Sequence, residues 1–201
     1  MKSGELGSWK ALRPEDAQRW LEALAAPWWI AGGFALDLCV GHETRAHEDL
    51  DVGCFREDLL HLSHALKGWE LHAAQDGRLT RLAAGGVPDP AVHSLWCRPD
   101  GEGAWWLEIM LDEREGPDWI FRRNRDVRRP IGELLARNRS GLPYLRPEVQ
   151  LLYKAKAPRP RDKADFRAVA PILGKEARAW LRDALGRTHP EHPWLVALRG
   201  R

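Results

Sequence analysis

The sequence predicts an α/β protein of the α+β type, in which a small mixed, largely antiparallel sheet carries helices on one face and precedes a C-terminal helical region. Short strand-like runs separated by Gly- and Pro-containing turns occupy most of the chain up to residue 121, and helical periodicity follows residue 147. Sequential short strands of this kind favour antiparallel pairing. We place the core that contains the sheet at residues 1–135 and the helical region at residues 136–201.

The elements follow from local signals. Proline and acidic residues in the order Pro14-Glu15-Asp16 predict the start of a first helix. The predicted strands are Trp28–Ala31, Asp49–Val52, Trp69–His72, Val92–Cys97, Trp105–Leu111 and Trp119–Phe121, and the predicted helices include Phe34–Val40 and Glu57–Leu66. A late helix is expected from Pro147 until the prolines at 158 and 160.

Composition narrows the class of protein. A chain of 201 residues with 44% hydrophobic content can bury a real core, so a single domain with a helical extension is expected. The N-terminal residues contain no apolar run typical of a signal peptide, and a membrane span is not expected. Three cysteines, Cys39, Cys54 and Cys97, have no metal-ligand spacing and favour a reducing cytoplasm, where each is expected to be a small buried side chain.

Charge is distributed unevenly along the chain. Residues 120–167 contain 14 Lys or Arg against 5 Asp or Glu, a local charge of +9, which leaves −7 on the remainder because the whole chain carries +2. A basic half facing an acidic half suits a bound metal triphosphate, and two solvated surfaces are the alternative. The chain has no nucleic-acid-binding motif, so nucleic acid is not an expected partner.

Two aspartates flank an apolar residue in the stretch Asp49-Leu50-Asp51-Val52. This period-two alternation predicts a half-buried strand with both carboxylates on one face. Their Cα atoms would lie roughly 6.6 Å apart, at about 3.3 Å per residue, so the carboxylates can converge on one or two Mg²⁺ ions. A solvated pair of charges is the alternative.

Gly32-Gly33 lies between a predicted strand and a predicted helix. Glycine lets the backbone approach a ligand closely, and a helix N-terminus presents free N–H groups to an anion. The pair is therefore a candidate triphosphate-binding turn, and an ordinary turn is the alternative.

Gly32-Gly33, Asp37, Arg45-x-His47 and Asp49-Leu50-Asp51 follow one another along the chain. This order resembles that of the DNA polymerase beta-type nucleotidyltransferase superfamily, and within it the small aminoglycoside and lincosamide nucleotidyltransferases and their uncharacterised bacterial relatives. Residues 104–113 and 146–166 look most like those relatives, so the resemblance spans nearly the whole chain. It implies the nucleotidyltransferase fold, an NTP donor and a small acceptor that carries a hydroxyl.

A third carboxylate is expected from a neighbouring strand. Glu108 stands between Leu107 and Ile109, where an unpaired carboxylate is costly to bury unless it meets a cation or a reacting group. Asp112 lies on the same face but precedes charged residues and is expected to begin an exposed turn. The resemblance implies that Glu108 either completes the metal site or acts as general base, and both roles stay open.

Several basic residues are candidate phosphate ligands. Lys154 lies near the end of the helix predicted from Pro147, and the resemblance implies that it reaches the β- and γ-phosphates, with Arg161 as a second candidate. A solvated helix end is the alternative for the lysine. Asp162 and Asp165 are expected to cap the following helix.

Arg45 is a further candidate phosphate ligand, and a salt bridge to Asp37 is its alternative role. His47 is a candidate hydrogen-bond donor to Asp49 or Asp51, and it is not expected to bind Mg²⁺ directly because Mg²⁺ prefers oxygen ligands. Most of the eleven tryptophans are expected in the core. Trp96 and Trp119 are candidates for stacking on a base or an acceptor ring, and the sequence does not choose between them.

These patterns predict a cytoplasmic Mg²⁺-dependent nucleotidyltransferase that transfers NMP from an NTP to a hydroxyl of a small acceptor, aminoglycoside-like antibiotics being one class. The predicted site comprises the metal-binding and catalytic Asp49, Asp51 and Glu108, together with the triphosphate-binding Gly32, Gly33, Arg45 and Lys154. Nucleotidylation of a protein or tRNA, and a non-catalytic nucleotide-binding or antitoxin module, are the alternatives.

Overall fold

A computed structural model of the protein describes residues 6–199. Within that range it contains seven α-helices, which are α1 (Pro14–Leu21), α2 (Gly32–Val40), α3 (Leu59–Ala65), α4 (Pro147–Lys154), α5 (Pro160–Val169), α6 (Lys175–Thr188) and α7 (Trp194–Ala197). The ten strands are β1 (Trp28–Ile30), β2 (Asp51–Phe55), β3 (Trp69–Gln75), β4 (Arg78–Arg81), β5 (Ser94–Pro99), β6 (Leu107–Glu115), β7 (Asp118–Ile120), β8 (Arg128–Pro130), β9 (Leu135–Arg137) and β10 (Pro143–Leu145).

The strands form one mixed sheet in the order β4-β3-β5-β6-β2-β1-β10-β9, and β7 and β8 extend it from β6. Two neighbouring pairs, β2 with β6 and β1 with β10, are parallel, and the others are antiparallel. The predicted mixed, largely antiparallel α/β architecture is confirmed. The parallel β2–β6 pair matters most for function, because it aligns Asp51 directly with Glu108.

The core is built around the central strands. Val52 and Cys54 of β2 and Ile109 of β6 are fully buried, and Gly53 and Phe55 of β2 are buried as well, so β2 is covered on both faces beyond Asp51. Helix α2 is apolar on nearly all sides because it packs on β2 and β10 and also against α4 and α5. This burial fixes the end of β1 and the start of α2 next to the first residue of β2.

Several boundaries differ from the predictions. Helix α2 begins at Gly32 rather than Phe34, so the two glycines form its first turn, and it ends at Gly41, which has φ +92°. Strand β2 begins at Asp51, so Asp49 lies two residues ahead of the strand and not within it. Sequence patterns also missed β10, whose three residues read Pro-Tyr-Leu and are all buried.

The C-terminal segment begins as predicted, since α4 starts at Pro147 and its Val149 and Leu152 are buried. The division at residue 135 stays a prediction; β9 spans that boundary, and β10 beyond it pairs with β1 in the sheet. None of the helices in residues 6–199 is long and apolar enough to cross a membrane.

Candidate active site

Three carboxylates converge where β1 ends and β2 begins. Asp51 opens β2, Glu108 is its register partner on β6, and Asp49 reaches the same point from the preceding loop. One carboxylate oxygen from each lies within 4.8 Å of the others. We call these three residues the carboxylate triad. The structure brings together the three carboxylates that the sequence predicted, although Asp49 lies in a loop and not in a strand.

The triad is electrostatically strained because it collects negative charge in a half-buried place. Burial raises the pKa of Asp51 well above its usual range, and the neighbouring Glu108 and Asp49 raise it further. Burial also raises the pKa of Glu108, against the effect of a 2.6 Å hydrogen bond from the Ser94 hydroxyl to its Oε1. Carboxylates held together in this way favour either a proton or a cation.

A divalent metal fits this donor set. Three oxygen ligands of formal charge −3, close enough to share one ion, are what hard cations such as Mg²⁺ bind, and nitrogen or sulfur donors are absent from the triad. An ion would also remove the repulsion that raises the pKa of Asp51.

The two glycines are required by how closely the site is packed. A Cβ atom on Gly32 would lie 1.7 Å from Oδ2 of Asp51, and Gly32 also has φ +64°, which strains other residues. A Cβ on Gly33 would lie 2.4 Å from Nη2 of Arg45 and 2.4 Å from Cε1 of His47. The first turn of α2 therefore touches the triad directly.

Gln150 of α4 holds this turn from the other side. It is buried, and its Oε1 accepts a 2.8 Å hydrogen bond from the backbone N–H of Gly32. Sequence reasoning missed this residue, and its only signal was a polar side chain in an otherwise apolar stretch of the helix.

The structure contradicts the predicted contact of His47 and the alternative role of Arg45. Nε2 of His47 lies 2.5 Å from Oδ2 of Asp37, so the histidine supports helix α2 and not Asp49 or Asp51. Asp37 also accepts hydrogen bonds from Thr44, which leaves no salt bridge between it and Arg45. Thr44 and His47 therefore satisfy the buried carboxylate of Asp37 in place of Arg45.

Arg45 instead forms a long-range ion pair with Asp165 of α5, with Nε 2.9 Å from Oδ1. Lys154 places Nζ 2.9 Å from Asp165 and 2.9 Å from Asp162, and Arg159 also pairs with Asp162 at 2.8 Å. These five residues form what we call the paired cluster. The side chain of Lys154 is only 7% exposed, so the alternative of a solvated helix end is wrong.

The capping prediction for the two aspartates is half right. Asp162 is the third residue of α5, where its Oδ2 accepts a 2.9 Å hydrogen bond from the backbone of Arg159, the N-cap residue. Asp165 lies one turn deeper and caps nothing; it binds Arg45 and Lys154. Burial opposes ionisation of both carboxyl groups, but the hydrogen bonds from these cations hold their pKa values below the usual range.

Asp112 does not begin an exposed turn, as the sequence suggested. It is 5% exposed, because β6 continues to Glu115, and its Oδ1 accepts a hydrogen bond from the Tyr153 hydroxyl. Burial raises its pKa to about 6, against the effect of that hydrogen bond. Asp112 shares a strand face with Glu108, and both line the same cleft.

The cleft has a volume of about 360 Å³ and lies between this strand face and the α4–α5 region. The triad, Gly32, Gly33, Arg45 and Lys154 all contribute to its lining, as does Arg161. Arg159 was not predicted as a site residue, but it lines the cleft and favours ionisation of Glu108. Trp119 is fully buried and therefore unavailable for stacking on a ligand, and Trp96 packs against Trp9.

A mixed sheet with two parallel neighbouring strands, a glycine-initiated helix and a carboxylate triad at their junction define the chain as a nucleotidyltransferase. Its family is equally clear. The model of the aminoglycoside-2''-adenylyltransferase family matches residues 16–168, and the chain belongs to that family. No curated protein matches the chain in sequence.

Solved structures agree on the fold. The solution structure of the antibiotic-resistance factor ANT(2'')-Ia has 16% sequence identity to this chain and a TM-score of 0.59. The match covers 88% of this chain and 90% of that chain. A crystal structure of ANT(2'')-Ia in complex with adenylyl-2''-tobramycin has 14% sequence identity and a TM-score of 0.55. The match covers 86% of this chain and 95% of that chain. The crystal structure of the lincosamide antibiotic adenylyltransferase LnuA with lincomycin bound has 14% sequence identity and a TM-score of 0.56. The match covers 83% of this chain and 100% of that chain. The predicted superfamily and branch are confirmed.

Proposed function

We propose that this protein is a Mg²⁺-dependent nucleotidyltransferase that transfers a nucleoside monophosphate from an NTP to a hydroxyl of a small acceptor and releases pyrophosphate. The observation that carries the proposal is the convergence of Asp49, Asp51 and Glu108 beside the glycine turn of α2. Membership of an adenylyltransferase family makes ATP the first donor to test.

Asp49 and Asp51 are proposed to hold one or two Mg²⁺ ions, with Glu108 as a third ligand or as the base. Bound Mg²⁺ would neutralise charge on the triphosphate and favour departure of pyrophosphate. The elevated pKa of Asp51 in the protein alone supports this assignment, because the carboxylates are placed together at a cost that a cation offsets.

Glu108 is the proposed general base. The acceptor oxygen forms a bond to the α-phosphorus as its proton passes to the Glu108 carboxylate, and the bond from the α-phosphorus to the bridging oxygen of pyrophosphate breaks. A raised pKa makes Glu108 a better proton acceptor than a solvated carboxylate, and the hydrogen bond from Ser94 orients it.

The triphosphate is proposed to lie along the turn of Gly32 and Gly33 and to face Arg45 and Lys154. These two cations are fixed in place by Asp162 and Asp165, so they lose little side-chain freedom when an anion arrives. Arg161 adds charge on the same side, since it acts on Asp51. Fixed cations beside a metal site are a preorganised environment for developing negative charge.

The acceptor class is open within this proposal. The name of the family and the tobramycin and lincomycin bound by similar structures make hydroxyl-bearing antibiotics the first compounds to screen. An intact triad favours an enzyme over a non-catalytic module.

The test is thermal stability with each of the four NTPs, with and without Mg²⁺, for the wild type, Asp51→Asn and the exposed control Asp183→Asn. A ligand at about 100 times its Kd should add roughly 2.7 kcal/mol of stability. We expect a Mg²⁺-dependent shift in the wild type and in the control, and none in Asp51→Asn. Equal shifts in all three proteins would remove Asp51 from the site, and no shift with any NTP would reject the proposed donor.

A further inference from the structure

Seven cations line the cleft; one of them, Arg161, pairs with the exposed Glu48, and the other six fall into two groups. Arg45, Lys154 and Arg159 belong to the paired cluster, where Asp162 and Asp165 neutralise most of their charge. Arg122, Arg123 and Lys156 also line the cleft, but none of these three forms an ion pair with any of residues 6–199. We call Arg122, Arg123 and Lys156 the unpaired cluster.

The unpaired arginines are held in place without a counter-charge. The guanidinium groups of Arg122 and Arg123 lie 5.7 Å and 5.5 Å from the centre of the Tyr153 ring, and Nη1 of Arg123 donates a 2.9 Å hydrogen bond to the Tyr153 carbonyl oxygen. Burial lowers the pKa of Arg123, and the adjacent Arg122 lowers it further. The protein therefore maintains two neighbouring like charges in a fixed geometry.

One carboxylate faces this cluster from the sheet. Arg122 favours the ionised form of Asp112 by proximity, but Oδ1 of Asp112 already accepts a hydrogen bond from the Tyr153 hydroxyl. Even with Asp112 ionised, the three cations leave a net charge of about +2 at this end of the cleft. Arg123 and Lys156 are exposed, so water solvates part of this charge, and an anion bound at this end would neutralise it.

This end of the cleft is distinct from the triad. Asp112 lies four residues beyond Glu108 on β6, roughly 13 Å away at about 3.3 Å per residue. Lys154 and Arg161 act on Asp51, and Arg159 acts on Glu108, so the cations nearest the triad are not those of the unpaired cluster. A triphosphate neutralised at the triad end would leave Arg122 and Arg123 for another anionic group.

We propose that the acceptor itself is anionic, and that Arg122 and Arg123 bind its phosphate or carboxylate group while its hydroxyl faces Glu108. This inference rests on the proposed function. Paired guanidinium groups suit phosphate and carboxylate oxygens because each can donate two parallel hydrogen bonds. The same charges repel the ammonium groups of a polycation such as an aminoglycoside, so the cleft selects against the acceptor that the family name suggests.

The first experiment uses inorganic phosphate as a probe of the anion subsite. Each protein is saturated with Mg²⁺ and a non-hydrolysable analogue of the NTP that gives the largest shift, and its thermal stability is then measured against phosphate concentration. The double variant Arg122→Gln/Arg123→Gln is compared with Arg125→Gln, whose arginine lies between β7 and β8 and pairs with Glu115. We expect phosphate affinity to fall at least about tenfold in the double variant and to be unchanged in the control. Equal affinities in all proteins would overturn the inference.

The nucleotide arm of this experiment separates the two sources of an anionic group. If Arg122 and Arg123 bind the acceptor, the double variant should bind Mg²⁺-NTP as well as the wild type does. A loss of nucleotide affinity would assign the arginines to the triphosphate and overturn the inference. No nucleotide shift in the wild type would instead reject the proposed function itself.

The last arm measures transfer from α-labelled NTP to sugar phosphates and hydroxy acids, to their uncharged parent sugars, and to tobramycin. We expect any transfer to be restricted to anionic acceptors, with KM raised at least about tenfold and kcat retained in the double variant. Transfer to tobramycin would overturn the inference and leave the proposed nucleotidyltransferase standing.

Discussion

The carboxylate triad and the paired cluster are two charged regions of the cleft, and they differ in how their charge is balanced. The triad brings three acids together, and its Asp51 and Glu108 have raised pKa values. The paired cluster places two acids among three cations, and the acids have lowered pKa values. Balanced charge stabilises the fold, whereas unbalanced charge is kept at a cost and indicates a missing ligand.

The comparison predicts opposite effects of mutation in the two regions. Removing a charge from the triad should abolish function and relieve the fold, and removing one from the paired cluster should destabilise the fold.

The largest effect is expected for Glu108→Gln. Loss of a general base costs about 10²- to 10⁴-fold in kcat, and loss of a metal ligand costs at least as much. The free energy of unfolding without metal should rise, because the variant removes one of three converging negative charges. Single-turnover transfer and chemical denaturation check the two statements, with Glu115→Gln on the exposed end of β6 as control. An active Glu108→Gln protein would contradict the assignment.

Lys154→Gln should destabilise the protein by about 3 kcal/mol or more, because it leaves Asp162 and Asp165 buried beside too little positive charge. Urea denaturation measures the difference. The matched control is Lys163→Gln, because Lys163 is exposed and lies on α5, the helix that carries Asp162 and Asp165. It should change stability by less than about 0.5 kcal/mol. Equal stabilities would mean that the paired cluster is not balanced by Lys154.

Asp112→Asn should change how stability depends on pH. Because burial raises the folded-state pKa of Asp112 to about 6, its ionisation opposes folding: the penalty is absent below about pH 4 and complete above about pH 7. The variant should therefore gain roughly 3 kcal/mol relative to the wild type between pH 4 and pH 7.5. Unfolding measured across that range checks this, and parallel profiles for the two proteins would contradict it.

The smallest effect on stability is expected for Gly32→Ala, which combines positive-φ strain of about 1–2 kcal/mol with a displaced Asp51. Gly41→Ala is the matched control, since Gly41 has φ +92° but nothing within 4 Å of an added Cβ. We expect a larger loss of stability in Gly32→Ala, where the added Cβ meets Asp51, than in the control, and a loss of transfer activity in Gly32→Ala alone. Full activity of Gly32→Ala would show that the glycine does not position the triad.

Local patterns were enough to predict most elements near the site. Periodicity placed β1, β6 and α4 within a few residues, and alternation marked Asp51 and Glu108 as strand residues whose carboxylates need a partner. Local patterns failed where a short element depends on its neighbours. Strand β10 has only three residues, and it exists because β1 and β9 flank it.

The partners of charged residues were the least predictable. Asp37 and Arg45 are close in the chain, yet Arg45 pairs with Asp165, which is 120 residues away. The charged residues after Asp112 predicted the start of an exposed turn, but the Tyr153 hydroxyl of α4 donates a hydrogen bond to its carboxylate. A carboxylate takes the nearest available donor in space, and sequence separation carries no information about that distance.

The sequence by itself determined the class of protein, because the residue types that the site needs occur in a short ordered set, from Gly32-Gly33 to Asp49 and Asp51. Only the tertiary structure decided which charges are neutralised: Lys154 pairs with two carboxylates, whereas Arg122 and Arg123 form no ion pair with any residue that the structure describes. The reason is physical. Residue type fixes what a side chain can do, whereas Coulombic interactions and burial depend on distances that folding alone sets.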